Sequence, residues 1–421
     1  MLALQSGLGL LLMIALAWAL SENRRCVPWR AVTMGVALQF ALAVFFLKVE
    51  AAQSVFGGLN AAVNALDEAT RTGTAFVFGY IGGAEAPFIG KESASTFVLA
   101  FQALPLVLVI SALSALLFYW NVIPPIVRGF AWVLRRTLGV SGAAGVAVAM
   151  EIFVGMTESP LVVRPYLRSE SRAALFVIMT AGLATVSGTV MVLYATFLQD
   201  IVPNALAQIL IASVINAPAA IVMAFIMIPE DPARLADKSG GIVKINAREP
   251  GDNAMAVITR GTIDGIQLVF NIIAMLIVLV ALVSLANQIV GLLPDVGGAP
   301  LSLQRMFGWV MAPLAWALGI PWAEVPAAGE LLGTKAVLNE LIAYIDMSRL
   351  PAGTLSERSL LIMTYALCGF ANFSSLGILI GGLGAMVPER RAEIIELAPK
   401  ALISGTLATC MTGAVVGVLT W

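Results

Sequence analysis

Three glutamates lie where a carboxylate is hard to accommodate. Glu151, Glu158 and Glu340 each fall inside an otherwise apolar stretch, and an ionisable group at membrane depth costs at least about 2.5–3.5 kcal/mol on insertion scales. Each therefore needs a partner or a function. Glu151 and Glu158 are seven residues apart, so a helix running through both would put them on one face. A carboxylate accepts two hydroxyl hydrogen bonds side by side, which suits a polyol such as ribose. A second polar set, Asn372, Ser374 and Ser375, follows Gly369 in a glycine-broken apolar run. Alone, such residues hold neighbouring helices together; opposite Glu340 they make a site. Buried carboxylates also serve acid–base enzymes, and broken helices also line channels. Histidine is absent, which excludes a Ser-His-Asp triad, a His-ligated zinc and a His proton relay and leaves protonation chemistry to carboxylates.

The elements that must position these groups are membrane helices. Sixty per cent of the residues are hydrophobic and 12% charged, and the mean hydropathy is +0.94; a soluble domain of this length has no core large enough for them. The formal net charge of -1 gives no basic excess for nucleic acid, so the lipid bilayer is the expected surrounding and nucleic acid is not a partner. Cys26, Cys368 and Cys410 are an odd, scattered set without a disulfide or metal pattern, and they read as small apolar filler. Neither a cofactor nor a structural metal is expected.

Apolar runs long enough to cross about 30 Å of hydrocarbon cover residues 2–20, 31–47, 96–120, 173–198, 205–228, 261–286, 359–383 and 401–421, about eight spans. The first could pass for a signal peptide, with Ala17-Trp18-Ala19 at its end. No basic residue precedes it and Asn23-Arg24-Arg25 follows, so it is kept as a span. Every second loop is basic: Arg24, Arg25 and Arg30; Arg128, Arg135 and Arg136; Arg234, Lys238, Lys244 and Arg248; Arg390, Arg391 and Lys400. The intervening connections, 50–92 and 200–204, carry only Arg71 and Lys91. The positive-inside rule then places the basic loops in the cytoplasm and both termini outside. Residues 122–140, with two prolines and three arginines on an apolar background, read as an amphipathic helix on the cytoplasmic face.

Two stretches do not read as simple spans. Residues 140–164 run as an apolar helix into Gly155-Met156-Thr157-Glu158-Ser159-Pro160 and return to Arg164 and Arg168 on the basic side. Between 320 and 344, Gly329, Gly333, Thr334 and Lys335 interrupt the pattern from the opposite side, and Glu340 follows. Each is succeeded by a span broken at mid-depth, at Thr185-Val186-Ser187-Gly188-Thr189 and from Cys368 to Gly377. The expected fold is an all-α integral membrane protein with two opposed re-entrant hairpins, two broken helices and an inverted repeat around a polar cavity. Residues 1–138 would form a scaffold with the interfacial helix, 139–260 the first transport half and 261–421 the second.

The segment from Gly155 to Pro160, then Gly333-Thr334-Lys335 leading to Asn339-Glu340, then Gly369-Phe370-Ala371-Asn372 with Ser374-Ser375, resemble in order and spacing the signature segments of the concentrative nucleoside transporter family. Phe76-Val77-Phe78-Gly79 and Pro388-Glu389-Arg390 extend the resemblance over nearly the whole chain. It is similar to the shorter bacterial members, which implies a multi-pass protein of the cytoplasmic membrane. The resemblance further implies a homotrimer, each protomer importing nucleosides, or a close ribosylated relative, by alternating access. It implies that Gly155, Met156, Thr157, Glu158 and Val190 meet the base and that Glu340, Phe370, Asn372 and Ser375 hold the ribose. A coupling sodium would lie at Glu151, Val154, Thr185 and Val186. Two positions depart from the family: Met156 stands for a typical Gln, which leaves the preferred base open, and Glu151 stands for Asn at the cation position. A carboxylate there can take a proton or ligate sodium with higher charge; with no histidine in the chain, the proton is the favoured coupling ion. Another solute on the same scaffold, an intramembrane enzyme and a channel are the alternatives.

Overall fold

The apolar runs form helices, and proline, glycine and side-chain caps decide where they stop. The computed structural model describes residues 1–88, 97–156, 158–230, 253–296, 298 and 300–420. Thr157 of the first expected hairpin, Lys91, Glu92, Thr96, the basic loop with Arg234, Lys238, Lys244 and Arg248, and Trp421 lie outside the described residues.

The described residues are helical throughout their regular elements. In chain order these are α1 (Leu2–Ala19), α2 (Trp29–Lys48), α3 (Glu50–Phe78), α4 (Leu99–Gln102), α5 (Leu106–Tyr119), α6 (Ile123–Leu138), α7 (Gly142–Glu151), α8 (Ser159–Leu167), α9 (Arg172–Ala184), α10 (Gly188–Leu198), α11 (Ala205–Met227), α12 (Ala254–Val290), α13 (Leu303–Ala317), α14 (Val325–Val337), α15 (Glu340–Ser348), α16 (Glu357–Leu367), α17 (Phe373–Met386) and α18 (Arg391–Leu419).

Seven stretches among the described residues are long and apolar enough to cross a membrane: Leu2–Ala19, Trp29–Lys48, Leu99–Tyr119, Arg172–Leu198, Ala205–Met227, Ala254–Val290 and Pro388–Leu419. The expected span 359–383 is instead two helices, α16 and α17, each too short alone, and Arg172–Leu198 is likewise divided into α9 and α10. α11 runs through the middle of the molecule and is buried along most of its length, whereas only 6% of the most apolar window of α12 is buried. α12 packs against α5 through Gly261 and Gly265, which admit the backbones of Ala112 and Leu108 so closely that a Cβ would stand 2.9–3.0 Å from their Cα atoms. Small residues four apart allow this approach.

Between residues 140 and 170, Ser141 caps α7 by accepting the Ala144 N–H at 3.1 Å, and the helix ends at Glu151. Gly155 takes φ +96°, and Pro160 stands in the first turn of α8. Glu151 ends α7 and Glu158 stands just before α8, so no continuous helix sets them on one face.

The second helical pair breaks later than the glycine pattern suggests. Gly329, Gly333, Thr334 and Lys335 all lie inside α14, and the chain turns at Leu338 and Asn339. The glycines serve packing: a Cβ at Gly329 would stand 2.7 Å from the Gly308 carbonyl oxygen and one at Gly333 2.8 Å from that of Gln304, both on α13. Asn339 starts α15, its Oδ1 accepting the Ile342 N–H at 2.9 Å. Neither α13 nor the long α3 stands out as an apolar run of spanning length, because polar residues interrupt both.

Candidate functional site

The second helix break builds a hydrogen-bonded carboxylate. Glu340 opens α15 and is 3% exposed. The Tyr194 hydroxyl on α10 donates to its Oε1 at 2.5 Å, and Asn372 Nδ2 donates to its Oε2 at 2.8 Å. Asn372 is also the N-cap of α17, where its Oδ1 accepts the Ser375 N–H at 2.8 Å. That cap uses the amide oxygen and so directs the amide nitrogen onto Glu340. Each carboxylate oxygen keeps an unused lone pair, enough to accept two neighbouring hydroxyl groups. Tyr194 is held by Tyr344, with ring centroids 5.3 Å apart. Val190 precedes Tyr194 by four residues on the same face of α10, and Phe370 is half-buried at the break itself.

Lys335, five residues before Glu340, is also buried. Its Nζ donates to the Ala366 carbonyl at 2.9 Å and to Thr409 Oγ1 at 3.0 Å. Ala366 lies in the last turn of α16, where unpaired carbonyls favour a cation.

The first break meets the turn after α7. The Gly188 N–H donates to the Phe153 carbonyl at 3.0 Å. A Cβ on Gly155 would stand 3.0 Å from Ser187 Cβ, and one on Gly182 would stand 2.8 Å from Met156 Cβ and 3.4 Å from Glu151 Oε1. Glycine at these places lets the turn lie directly on the broken helix. Glu151 is fully buried; its Oε1 accepts from Ser159 Oγ at 3.2 Å, while Oε2 has no hydrogen-bond partner. Thr185 Oγ1 donates to the Ala181 carbonyl at 2.9 Å. Val186 is tied to α11 twice: its N–H donates to Ser213 Oγ at 3.2 Å, and Ser213 Oγ donates to its carbonyl at 3.1 Å.

The structure thus brings Glu340, Asn372 and Ser375 together, and separately brings Glu151 and Met156 against the helix that leads into Thr185 and Val186. Val154 is half-buried, Val190 is buried, Glu158 is exposed, and Thr157 lies outside the described residues. A polar recess of about 280 Å³, lined by Asn64, Asp67, Gln199, Asp200 and Asn204 among others, lies off the end of α10 and includes none of these residues. Sequence reading missed Tyr194, Ser213 and Asn216. Tyr194 sits in an apolar helix, where an aromatic reads as packing, and Ser213 and Asn216 are isolated polar residues within the apolar α11. An unpaired polar residue in such a run is the one signal that could have marked the last two.

Three family models match along the chain: the N-terminus of the Na+ dependent nucleoside transporters over residues 8–81, "nucleoside recognition" over 100–200, and the C-terminus of the Na+ dependent nucleoside transporters over 208–417. An uncharacterized transporter of Haemophilus influenzae is 36% identical over 99% of this chain and 98% of its own length. The nucleoside permease NupC of Helicobacter pylori is 32% identical over 99% and 97%. Sodium/nucleoside cotransporter 1 of Rattus norvegicus is 33% identical over 98% of this chain, which spans 63% of that longer protein. Among solved structures, the transporter CNTnw in an inward-facing substrate-bound state is 33% identical, with a TM-score of 0.88 over 100% of this chain and 98% of that one. The relatives with a described activity are transporters, not enzymes. With full-length similarity at this level, and with the buried carboxylate and broken helices in place, the chain belongs to the concentrative nucleoside transporter family of multi-pass membrane proteins.

Proposed function

We propose that this chain is a secondary symporter that imports a nucleoside, or a close ribosylated relative, by exposing one site alternately to the two faces of a bacterial cytoplasmic membrane. The observation that carries this reading is Glu340: a buried carboxylate, oriented by Tyr194 and Asn372 at a helix break, with side-by-side acceptor capacity left for adjacent sugar hydroxyls. Glu340, Asn372, Ser375 and Phe370 hold the ribose; Gly155, Met156, Thr157, Glu158 and Val190 meet the base.

Glu151 is the coupling group. A fully buried carboxylate with one weak donor and an unpartnered oxygen is tolerated when a cation or a proton neutralises it. A single proton on Oε2 meets that demand, and it is the coupling ion we favour. Sodium, ligated with help from Val154, Thr185 and Val186, is the other solution, and the sodium-dependent description of the family and of the rat relative supports it.

The pairs α7–α8 and α14–α15 act as two re-entrant hairpins entering from opposite faces, each followed by a broken helix, in an inverted repeat. Residues 1–138 then serve as scaffold, with 139–260 and 261–421 as the two halves. The apolar, outward-facing α12, with Phe270 and Ile277 about two-thirds exposed, supports a homotrimer set in the bilayer. The basic loops lie in the cytoplasm and both termini outside.

A calorimetric screen of purified protein against nucleosides, free bases and free ribose tests the reading. Saturable binding of nucleosides, with much weaker binding of the bases, is the expected result. Binding of some other polar solute and of no nucleoside would leave the scaffold and overturn the substrate.

A further inference from the structure

We infer that Asn216 is a positioning residue that couples the cation half of the site to the sugar half, because its single amide ties the two helix breaks together. The inference rests on the function proposed above for the two halves.

Asn216 is fully buried on α11. Its Nδ2 donates to the Ala184 carbonyl at 2.8 Å and to the Cys368 carbonyl at 2.6 Å. Ala184 is the last residue of α9, and Cys368 immediately follows the last residue of α16. Both carbonyls belong to the group that a helix end leaves without intrahelical partners. A primary amide has two N–H donors, and here each break receives one. The orientation of the amide is settled by its partners, since the flipped form would set Oδ1 against two carbonyl oxygens. Oδ1 itself has no partner. A residue chosen for packing alone would not bury an unpaired acceptor in an apolar, almost wholly buried helix, so the two donated bonds account for its presence.

The breaks also touch directly. A Cβ on Gly369 would stand 2.7 Å from the Ala184 carbonyl oxygen. Gly405 of α18 lies against both Leu183, just before the first break, and Ala371, within the second. One turn before Asn216, Ser213 holds both the N–H and the carbonyl of Val186. α11 therefore grips the first break at Val186 and Ala184 and the second at Cys368, with a single helix face between them.

The path is short. A cation at Glu151 and the 185–186 turn fixes the backbone that carries the Ala184 carbonyl. Asn216 passes that constraint to Cys368, two residues before Phe370 and four before Asn372. Occupancy of either half then favours the ordered arrangement of the other, and by linkage the effect is reciprocal. The element with two arrangements is the pair of breaks clamped on α11, released together or held together.

The test is uridine binding by calorimetry to purified full-length protein, with and without sodium and at low and high pH. For the natural protein, the favourable cation condition should tighten uridine binding by about 5–150-fold, the range typical of coupled sites. Asn216→Ala should reduce that ratio to below about twofold while cation-free uridine binding and monodispersity are kept. Asn216→Ser, which retains one short donor unable to span both carbonyls, should lose the ratio in the same way and decides the matter where the alanine variant does not fold. Gln39→Leu removes another fully buried amide, one that reaches only Thr412, and should keep the natural ratio. A natural ratio in a folded Asn216 variant, or an equal loss in the Gln39 variant, overturns the coupling role while the proposed function stands. The absence of any cation effect in the natural protein would instead refute cation coupling itself, and the role of Asn216 with it.

Discussion

Replacing Glu340 by glutamine keeps the shape of the side chain and changes its hydrogen-bonding sense. Both carboxylate oxygens accept now, from Tyr194 at 2.5 Å and from Asn372 at 2.8 Å. An amide offers one acceptor and one donor group. Asn372 cannot turn round to suit it, because its Oδ1 caps α17 through Ser375. The new carbonyl must therefore face Asn372 and the new NH2 must face Tyr194, whose hydroxyl then has to accept and leaves its own hydrogen in a buried place. The sugar hydroxyl on that edge loses its acceptor, and the other meets a neutral one. Hydrogen bonds to charged groups contribute about 1.5–3 kcal/mol each and neutral ones about 0.5–1.5, so one lost and one reduced to a neutral bond amount to about 2.5–4.5 kcal/mol, roughly a hundredfold or more in affinity. Uridine titrated calorimetrically into the variant, with its melting in detergent followed in parallel, measures this. Natural affinity in a normally folded Glu340→Gln protein would refute the assignment of the sugar site.

Further outcomes follow from the same contacts. Tyr194→Phe removes the hydroxyl that donates to Glu340 Oε1 and should lower stability in detergent by about 1.5–3 kcal/mol, read as a fall in melting temperature. Gly369→Ala would press a methyl group to 2.6 Å from Thr409 Cγ2 and 2.7 Å from the Ala184 carbonyl; overpacking of this kind costs about 1–3 kcal/mol or more, whereas Gly377→Ala, with nothing within 4 Å, should melt like the natural protein. Burial pushes the Glu22 carboxyl up, but hydrogen bonds and charge from Arg172 and Lys400 outweigh it and hold the group below the usual carboxylate range. Stability from a carboxylate shifted downward is complete above its unfolded value of about 4.3 and is lost as the pH falls through the folded one. Melting temperature should therefore drop in acid below that value, and Glu22→Gln should be lower at neutral pH and show a flatter acid limb.

What could be read from the sequence was the location of conflict: carboxylates, glycines and small polar residues inside apolar runs. Residues 185–187 and 368–372 announce themselves because such residues cannot continue a lipid-facing helix comfortably, and the helices do stop there. The same logic misplaced the turn of the second helical pair, since a glycine that breaks a helix and a glycine that admits a neighbouring helix look alike in one dimension. Gly329 and Gly333 are of the second kind. Tyr194 and Asn216 could not be assigned, because their roles depend on residues 146 and 152 positions away, Glu340 and Cys368. Long-range partners of this sort are set by how the two halves pack, and local periodicity carries no trace of that packing.

Accumulation of labelled uridine by proteoliposomes tests cation-coupled import at Glu151 most directly. One set should carry a sodium gradient at equal pH, and the other a pH gradient without sodium. The expected result is concentrative, saturable uptake driven by the pH gradient and abolished in Glu151→Gln. Uptake driven by sodium alone would reassign the coupling ion, and failure of both gradients to accumulate uridine or any other nucleoside that the protein binds would contradict nucleoside symport by this protein.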